Sequence, residues 1–150
     1  VAAKGTGIYI NSSLAKVEAV HAGYDEAILL NTQGFVAECT GENLFVVKNG
    51  VLKTPPLSSG ALEGITRDSI LTIARDLGYE VREDNLLRHD LYLADEAFLT
   101  GTAAEVVPIR SVDDRVIGDP GEMTRKLQET YFAAVRGQVE QYRDWCEDVG

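Results

Sequence analysis

The chain has 150 residues, of which 45% are hydrophobic and 25% are charged, as in ordinary globular domains. This length suits one domain with a sizeable core. Acidic residues outnumber lysine and arginine by 24 to 14, and the net charge of -10 argues against a nucleic-acid or anionic-membrane surface.

The first third of the chain predicts one helix and two hairpins. The helix spans about residues 11–22, with Leu14, Val17 and Val20 on one face and Gly23 after its end. Strands over residues 26–31 and 35–39 flank a turn at residues 32–34. A second hairpin pairs residues 43–48 with 51–54 around Asn49-Gly50, a strong turn signal.

The middle of the chain predicts a loop over residues 55–63 and then a helix that opens at residues 64–66. The helix runs to about Leu77, and Gly78 ends it. Its apolar stripe follows the i, i+3, i+4, i+7 pattern: Ile70, Ile73, Ala74 and Leu77.

The last third predicts short strands and a long helix. The short elements are a strand at 79–82, a helical turn at 89–93, strands at 96–100 and 106–112 around a loop at 101–104, and a small arm at Val116-Ile117. Asp119 to Glu122 has the acidic cap, proline and glutamate of a helix start. The apolar stripe of that last helix is Leu127, Tyr131, Val135, Val139 and Tyr142, reaching Trp145. Interleaved strands and helices predict an α/β or α+β fold with a mixed sheet.

Cysteine and histidine usage gives little support to a zinc site. Cys39 and Cys146 lack metal-ligand spacing, and His21 and His89 lie far from them in sequence. We expect Cys39 to be a small core residue and Cys146 a free thiol, which suits a reducing, cytosolic compartment.

Neither a secretory signal nor a run of about 18 apolar residues is present in the sequence. The sequence opens at Val1 and its single methionine is Met123, so we expect a processed chain or part of a longer protein. Val1 cannot serve as an autoprocessed N-terminal nucleophile.

The stretch AECTGENLF, residues 37–45, places a carboxylate at each shoulder of a tight turn between two apolar strands. Glu38 and Glu42 are either solvated on a surface turn or held at the ends of buried strands. A buried carboxylate needs a cationic or hydrogen-bonding partner. The two alternatives therefore predict different roles for Glu38 and Glu42.

Two loops have the groups that bind an anion. Residues 60–66 lead into a helix N-terminus, where the N–H groups of Ile65 and Thr66, the Thr66 hydroxyl and the helix dipole favour a phosphate. Gly101-Thr102-Ala103 offers further N–H groups and a hydroxyl after a strand. The alternative for Thr66 is an ordinary helix cap.

Lys4 lies among small residues rather than on a polar helix face. A lysine forms a Schiff base when its surroundings lower its pKa or a cofactor captures it, and the alternative is a solvated lysine. Tyr9 is either a hydroxyl that faces a cofactor ring or a strand aromatic. A lysine, a buried carboxylate and two phosphate-binding loops are together what pyridoxal phosphate requires.

Six segments resemble branched-chain amino acid aminotransferases, which are fold-type IV pyridoxal-phosphate enzymes. They are AAKGTGIYINSSLAKVEA, GYDEAILLN, GFVAECTGENLFVV, LEGITRDSIL, LYLADEAFLTGTAAEVVPI and KLQETYFAAVRG. The resemblance covers nearly the whole chain and is to the C-terminal, larger domain of that family. It implies strands in a pseudo-barrel flanked by helices, and a smaller N-terminal domain that this chain lacks.

The resemblance also assigns roles by position. Lys4 is similar to the Schiff-base lysine, which also moves the substrate proton, and Tyr9 to the residue that bonds the phenolic oxygen of the cofactor. Glu38 matches the partner of the pyridine nitrogen, and Leu62 the residue that packs on the ring. Phosphate binding falls to Ile65, Thr66 and Thr102, and the substrate carboxylate to the turn Gly101, Thr102 and Ala103.

Two positions depart from the family pattern. Ile8 stands where asparagine is common, which bears on fine positioning near the cofactor, and Asn31 stands where aspartate is common. The resemblance predicts transamination of leucine, isoleucine or valine with 2-oxoglutarate by a cytoplasmic homo-oligomer, with this chain inactive alone. The alternatives are a D-amino acid aminotransferase or an aminodeoxychorismate lyase of the same fold, and an isolated domain without activity.

Overall fold

A mixed sheet forms the centre of the structure, a computed structural model that describes residues 6–103 and 105–146, with side chains from residue 14 onward. In chain order the strands are β1 (Ile28–Leu30), β2 (Val36–Cys39), β3 (Asn43–Lys48), β4 (Val51–Thr54), β5 (Glu80–Glu83), β6 (Glu96–Gly101), β7 (Glu105–Pro108), β8 (Ser111–Val112) and β9 (Arg115–Val116). The helices are α1 (Thr6–His21), α2 (Ile65–Asp76), α3 (Arg88–Tyr92) and α4 (Glu122–Val135), with 3₁₀ turns at Leu57–Ser59 and Glu140–Trp145.

The central sheet has five strands in the order β5-β4-β3-β6-β7, and β1-β2 and β8-β9 form separate antiparallel pairs. β4 and β5 are parallel, whereas the other neighbours in the central sheet are antiparallel. A parallel pair needs a crossover connection, which α2 supplies here. The predicted mixed α/β class is confirmed.

Each face of the sheet carries its own apolar core. Phe45 and Phe98, on neighbouring strands, stack with ring centroids 4.9 Å apart on the face that α2 and α4 cover. On the opposite face, Leu44 and Leu99 pack with residues around α3 and from β2. Alternate residues of a strand point to opposite faces, so β3 contributes to both cores.

The two predicted hairpins, α2 and the arm at Val116-Ile117 all lie within two residues of their expected bounds, and the strands at residues 43–48 and 51–54 match theirs. Gly23, with a φ of 92°, ends α1 as expected. The predicted start of α1 was wrong, because the helix begins at Thr6 rather than near residue 11. Tyr9 therefore lies in a helix and is not a strand residue. Leu14, Val17 and Val20 are more than half exposed.

The strand predicted over residues 106–112 is divided between β7 and β8. Pro108 lies in an edge strand, where a residue without an N–H group is tolerated, and the bonding to β6 continues to Ile109, whose N–H donates to the Ala97 carbonyl at 2.8 Å. The chain then turns into the β8-β9 pair. The predicted strand over residues 26–31 shortens to β1, which pairs with β2.

The last helix was predicted wrongly at both ends. It begins at Glu122 rather than at Pro120, and Gly121 is its N-cap. The Glu96 carboxylate of β6 accepts a hydrogen bond from the Thr124 N–H at 2.8 Å, so a distant residue caps this helix. Gly137, with a φ of 72°, ends the helix, and a 3₁₀ turn carries the rest of the predicted stripe.

None of the helices in the described part of the chain is long and apolar enough to cross a membrane.

Candidate active site

Glu38 is a buried carboxylate in β2. Its side chain is 5% exposed, and its Oε2 accepts a hydrogen bond from the Leu62 N–H at 3.2 Å. Because an unpaired buried carboxylate would be destabilising, this bond is part of what holds Glu38 in place. The solvated alternative is therefore wrong for Glu38, and the buried one is confirmed.

The segment over residues 61–64 has no regular secondary structure and leads directly into α2. Gly64 is the N-cap, and no side chain caps the helix. The first N–H groups of a helix have no partner within the helix, and they attract anions together with the helix dipole. Ile65 is 80% exposed, so this end of α2 opens to solvent.

Thr66 does not cap α2. It lies inside the first turn, is 3% exposed, and its Oγ1 lies 3.5 Å from the Tyr131 hydroxyl of α4. The helix-cap interpretation of Thr66 is therefore wrong. The Thr66 hydroxyl lies in the contact between α2 and α4, whereas the backbone N–H of Thr66 lies at the open N-terminus of α2.

The second predicted anion loop follows β6. Gly101 ends that strand, and Thr102 and Ala103 are exposed. A Cβ atom at Gly101 would lie 3.1 Å from Cγ of Glu42, so the loop packs closely on the turn between β2 and β3. Glycine at this position allows that approach.

The start of β3 joins the segments that sequence analysis singled out. Asn43 pairs in register with Thr100, immediately before Gly101. Its Nδ2 donates a hydrogen bond to the Leu62 carbonyl at 2.8 Å. Asn43 therefore lies beside both the segment that leads into α2 and the loop after β6. Glu38 belongs to the same cluster, because it bonds the Leu62 N–H.

Glu42 is half-buried beside Glu26. Burial and the hydrogen bond and repulsion from Glu26 raise the pKa of Glu42 to about 7, although Lys16 acts in the opposite direction. Burial, followed by the charges of Glu26, Glu42 and Glu38, raises the pKa of the Cys39 thiol well above its ordinary value. Cys39 is thus a protonated core residue at neutral pH, as expected, and not a nucleophile.

Lys4 lies outside the described residues, and the backbone of Tyr9 is described without its side chain. The roles assigned to these two residues by position stay predictions. Within the described residues, no group of His, Cys, Asp or Glu has the arrangement of a metal site.

Three polar residues near the site were not predicted from the sequence: Asn43, Glu26 and Arg67. Arg67 is 2% exposed and donates to the Glu83 carboxylate at 2.6 Å and to the Pro55 carbonyl at 3.2 Å. Arg67 lies three residues before Ile70 and seven before Ala74, so it falls on the apolar stripe of α2. This spacing could have predicted from the sequence that Arg67 is buried. The contacts of Asn43 and Glu26 depend on distant segments and leave no local pattern.

This arrangement belongs to a sequence that is similar to known proteins. The sequence model described as amino-transferase class IV matches residues 1–112. This chain belongs to the class IV aminotransferase family. A probable branched-chain-amino-acid aminotransferase from Aquifex aeolicus is 52% identical over 149 residues, which is 97% of this chain and 48% of that protein.

Solved structures of branched-chain aminotransferases share the fold. The enzyme from Thermoproteus uzoniensis, crystallised with norvaline, superposes with a TM-score of 0.93 at 53% identity, over 96% of this chain and 48% of that one. The enzyme from Thermobaculum terrenum, in its PLP-bound holo-form, gives a TM-score of 0.92 at 48% identity, over 95% of this chain and 47% of that one. The chain thus spans about half the length of the relatives it matches.

Proposed function

We propose that this chain is the cofactor-binding half of a pyridoxal 5'-phosphate-dependent branched-chain aminotransferase. The observation that carries the proposal is the buried Glu38 carboxylate, bonded to the segment that leads into the open N-terminus of α2. Relatives at about 50% identity are described as branched-chain aminotransferases, which supports the same activity here.

The residues present fit the two charged ends of this cofactor. A carboxylate with little solvent access suits a protonated pyridine nitrogen, because the pair is then a charge-assisted hydrogen bond. An uncapped helix N-terminus suits a phosphate. The Leu62 peptide connects these two features in the structure, since its N–H bonds Glu38 and its chain continues into α2.

We assign the remaining roles as follows. Glu38 keeps a proton on the ring nitrogen, and Leu62 packs on the ring. The N–H groups of Ile65 and Thr66 bind the phosphate, with Thr102 from the other loop. Pyridoxal 5'-phosphate, when bound, supplies an electron-withdrawing ring that stabilises negative charge at the substrate α-carbon.

Lys4 and Tyr9 complete the proposed set. Lys4 Nζ holds the cofactor covalently and moves a proton at the substrate α-carbon, and Tyr9 donates to the phenolic oxygen of the cofactor. The N–H groups of the turn Gly101, Thr102 and Ala103 receive the substrate carboxylate. Thr102 and Ala103 are exposed, so this turn is accessible to a substrate.

We propose leucine, isoleucine and valine as amino donors and 2-oxoglutarate as the acceptor. We further propose that the complete protein is a cytoplasmic homo-oligomer whose smaller N-terminal domain supplies the rest of the substrate pocket. The relatives are about twice as long as this chain, which supports that division. We therefore expect residues 1–150 alone to show little or no turnover.

Steady-state kinetics of the complete protein would test the proposal. We expect turnover of L-leucine with 2-oxoglutarate, and a fall in kcat of about 100-fold in Glu38→Gln because proton removal from the substrate slows. Glu63→Gln removes an exposed carboxylate from the same segment and is the matched control. Turnover of D-alanine or aminodeoxychorismate in place of L-leucine would favour the alternative activities, and an unchanged rate in Glu38→Gln would contradict the assigned role.

A further inference from the structure

The Leu62 peptide is held by two buried side chains. Its N–H donates to the Glu38 carboxylate at 3.2 Å, and its carbonyl accepts from Nδ2 of Asn43 at 2.8 Å. The carbonyl also accepts the N–H of Gly64 at 3.0 Å. Because residues 61–64 belong to no helix or strand, these bonds determine the path of the chain from Leu62 into α2.

Asn43 also contacts the residue that begins α2. A Cβ atom on Gly64 would lie 2.4 Å from Oδ1 of Asn43, which is too close for a carbon and an oxygen that are not bonded to each other. The φ of Gly64 is -76°, which any residue adopts, so a larger residue there is opposed by the lack of space alone and would have to displace the Asn43 side chain. The amide of Asn43 therefore contacts both the Leu62 carbonyl and the N-cap.

The position of Asn43 is itself rigid. It is 5% exposed and opens β3, where it pairs with Thr100 of β6. The next residues on the same face of the two strands are Phe45 and Phe98, whose rings stack in the core. The contact thus connects a fixed point of the central sheet to a segment that has no hydrogen-bonding ladder of its own.

We propose that Asn43 is a positioning residue of the cofactor site: through the Leu62 peptide and the Gly64 N-cap, it sets where the N-terminus of α2 lies relative to the Glu38 carboxylate. The inference rests on the proposed function, in which the Glu38 carboxylate binds the ring nitrogen and the N-terminus of α2 binds the phosphate. Asn43 does not touch the cofactor in this assignment.

The chemistry of the contact explains why an amide is needed. Aspartate has nearly the same shape as asparagine, but an ionised carboxylate is only an acceptor and cannot donate to the Leu62 carbonyl. It would also place negative charge beside a helix end that must attract phosphate. Serine retains a donor on a shorter side chain, and alanine removes the contact entirely.

The test compares the binding of pyridoxal 5'-phosphate with that of pyridoxal, which lacks the phosphate. Dissociation constants are measured for the complete protein from the change in absorbance on binding. If Asn43 aligns the two ends of the site, the uncharged variant Asn43→Ala weakens the binding of pyridoxal 5'-phosphate by about 10- to 100-fold and that of pyridoxal far less, so that the preference for the phosphate falls. Asn43→Asp should lower that preference at least as much, because its negative charge also repels the phosphate. General destabilisation would weaken both ligands equally.

Two further variants make the test specific. Gly64→Ala perturbs the same contact from the opposite side, and we expect the double variant to lose no more phosphate preference than the worse single variant. Asn31→Asp is the matched control, because the Asn31 amide also donates to a backbone carbonyl, that of Ser59 at 3.2 Å, away from the Leu62 peptide. We expect it to retain the wild-type preference.

A readout without ligand covers variants that fold poorly. Amide hydrogen exchange at Leu62 should accelerate in Asn43→Asp and Asn43→Ser while amides in β3 and β6 stay protected. The inference is overturned if the wild-type protein prefers the phosphate and the Asn43 variants keep that preference, or if exchange at Leu62 is unchanged. A wild-type protein that binds neither ligand would overturn the proposed function, and the inference with it.

Discussion

Glu42→Gln should make the stability of the protein less dependent on pH. The Glu42 carboxyl is half-buried and faces the Glu26 carboxylate, with Lys16 and the Cys39 thiol nearby. Lys16 Nζ lies 3.4 Å from Oε2 of Glu26 and offsets part of the repulsion. Burial and Glu26 together raise the pKa of Glu42 from 4.5 to about 7.

The direction of the effect follows from proton linkage. Between about pH 4.5 and 7, the folded protein retains a proton on Glu42 that the unfolded chain has lost, so the stability contributed by this group falls as the pH rises through that window. Within this window, each pH unit would lower the free energy of unfolding by about 1.4 kcal/mol if solvent did not screen the carboxyl. Because solvent does screen this half-exposed site, we expect the free energy of unfolding to fall by a total of about 1 kcal/mol across the window.

Thermal unfolding between pH 4 and pH 8 would measure this effect. Glutamine resembles the protonated carboxyl and does not titrate, so Glu42→Gln should match the wild-type protein at pH 4 and exceed its Tm by about 3 °C at pH 8. Glu129→Gln removes an exposed carboxylate from α4 and controls for net charge. A difference in Tm between Glu42→Gln and wild type that is constant with pH, or that grows toward acid, would contradict a raised pKa of Glu42 in the folded protein.

Two further predictions concern the packing around α2, and both are measured by urea unfolding. Phe98→Ala should lower the free energy of unfolding by about 3–5 kcal/mol, because it empties a fully buried position against Phe45. Leu14→Ala is its control at a 59% exposed position and should change that free energy by no more than about 0.5 kcal/mol. Arg67→Leu should cost about 2 kcal/mol, because the buried Pro55 carbonyl loses a donor, whereas Arg75→Leu on the exposed face should leave the midpoint unchanged. A small loss of stability in Phe98→Ala, or equal losses in the two arginine variants, would contradict the observed packing of Phe98 and Arg67.

Local patterns predicted much of the fold. The Asn49-Gly50 turn and the apolar stripe of α2 specify their elements through neighbouring residues, and both elements were found close to the expected bounds. The start of α4 depends instead on the Glu96 carboxylate, which reaches the helix from β6. A contact between residues 28 positions apart leaves no trace in a local capping pattern.

The residues of the candidate site were also predicted only in part. Glu38 and the loop before α2 were predicted from residue types, and the structure brings them together through the Leu62 peptide. Asn43 was not predicted, because its importance comes from two contacts across 19 and 21 residues of chain. The pairing of Glu42 with Glu26 was missed for the same reason.

Trapping the cofactor on the protein is the most direct test of the proposed cofactor site. The protein would be incubated with pyridoxal 5'-phosphate and reduced with borohydride, and the modified peptide would be mapped by mass spectrometry. We expect one pyridoxyl group per chain, on Lys4 and not on the other lysines. Labelling scattered over the lysines, or absent from Lys4 in the complete protein, would contradict the assignment of this chain as a cofactor-binding domain.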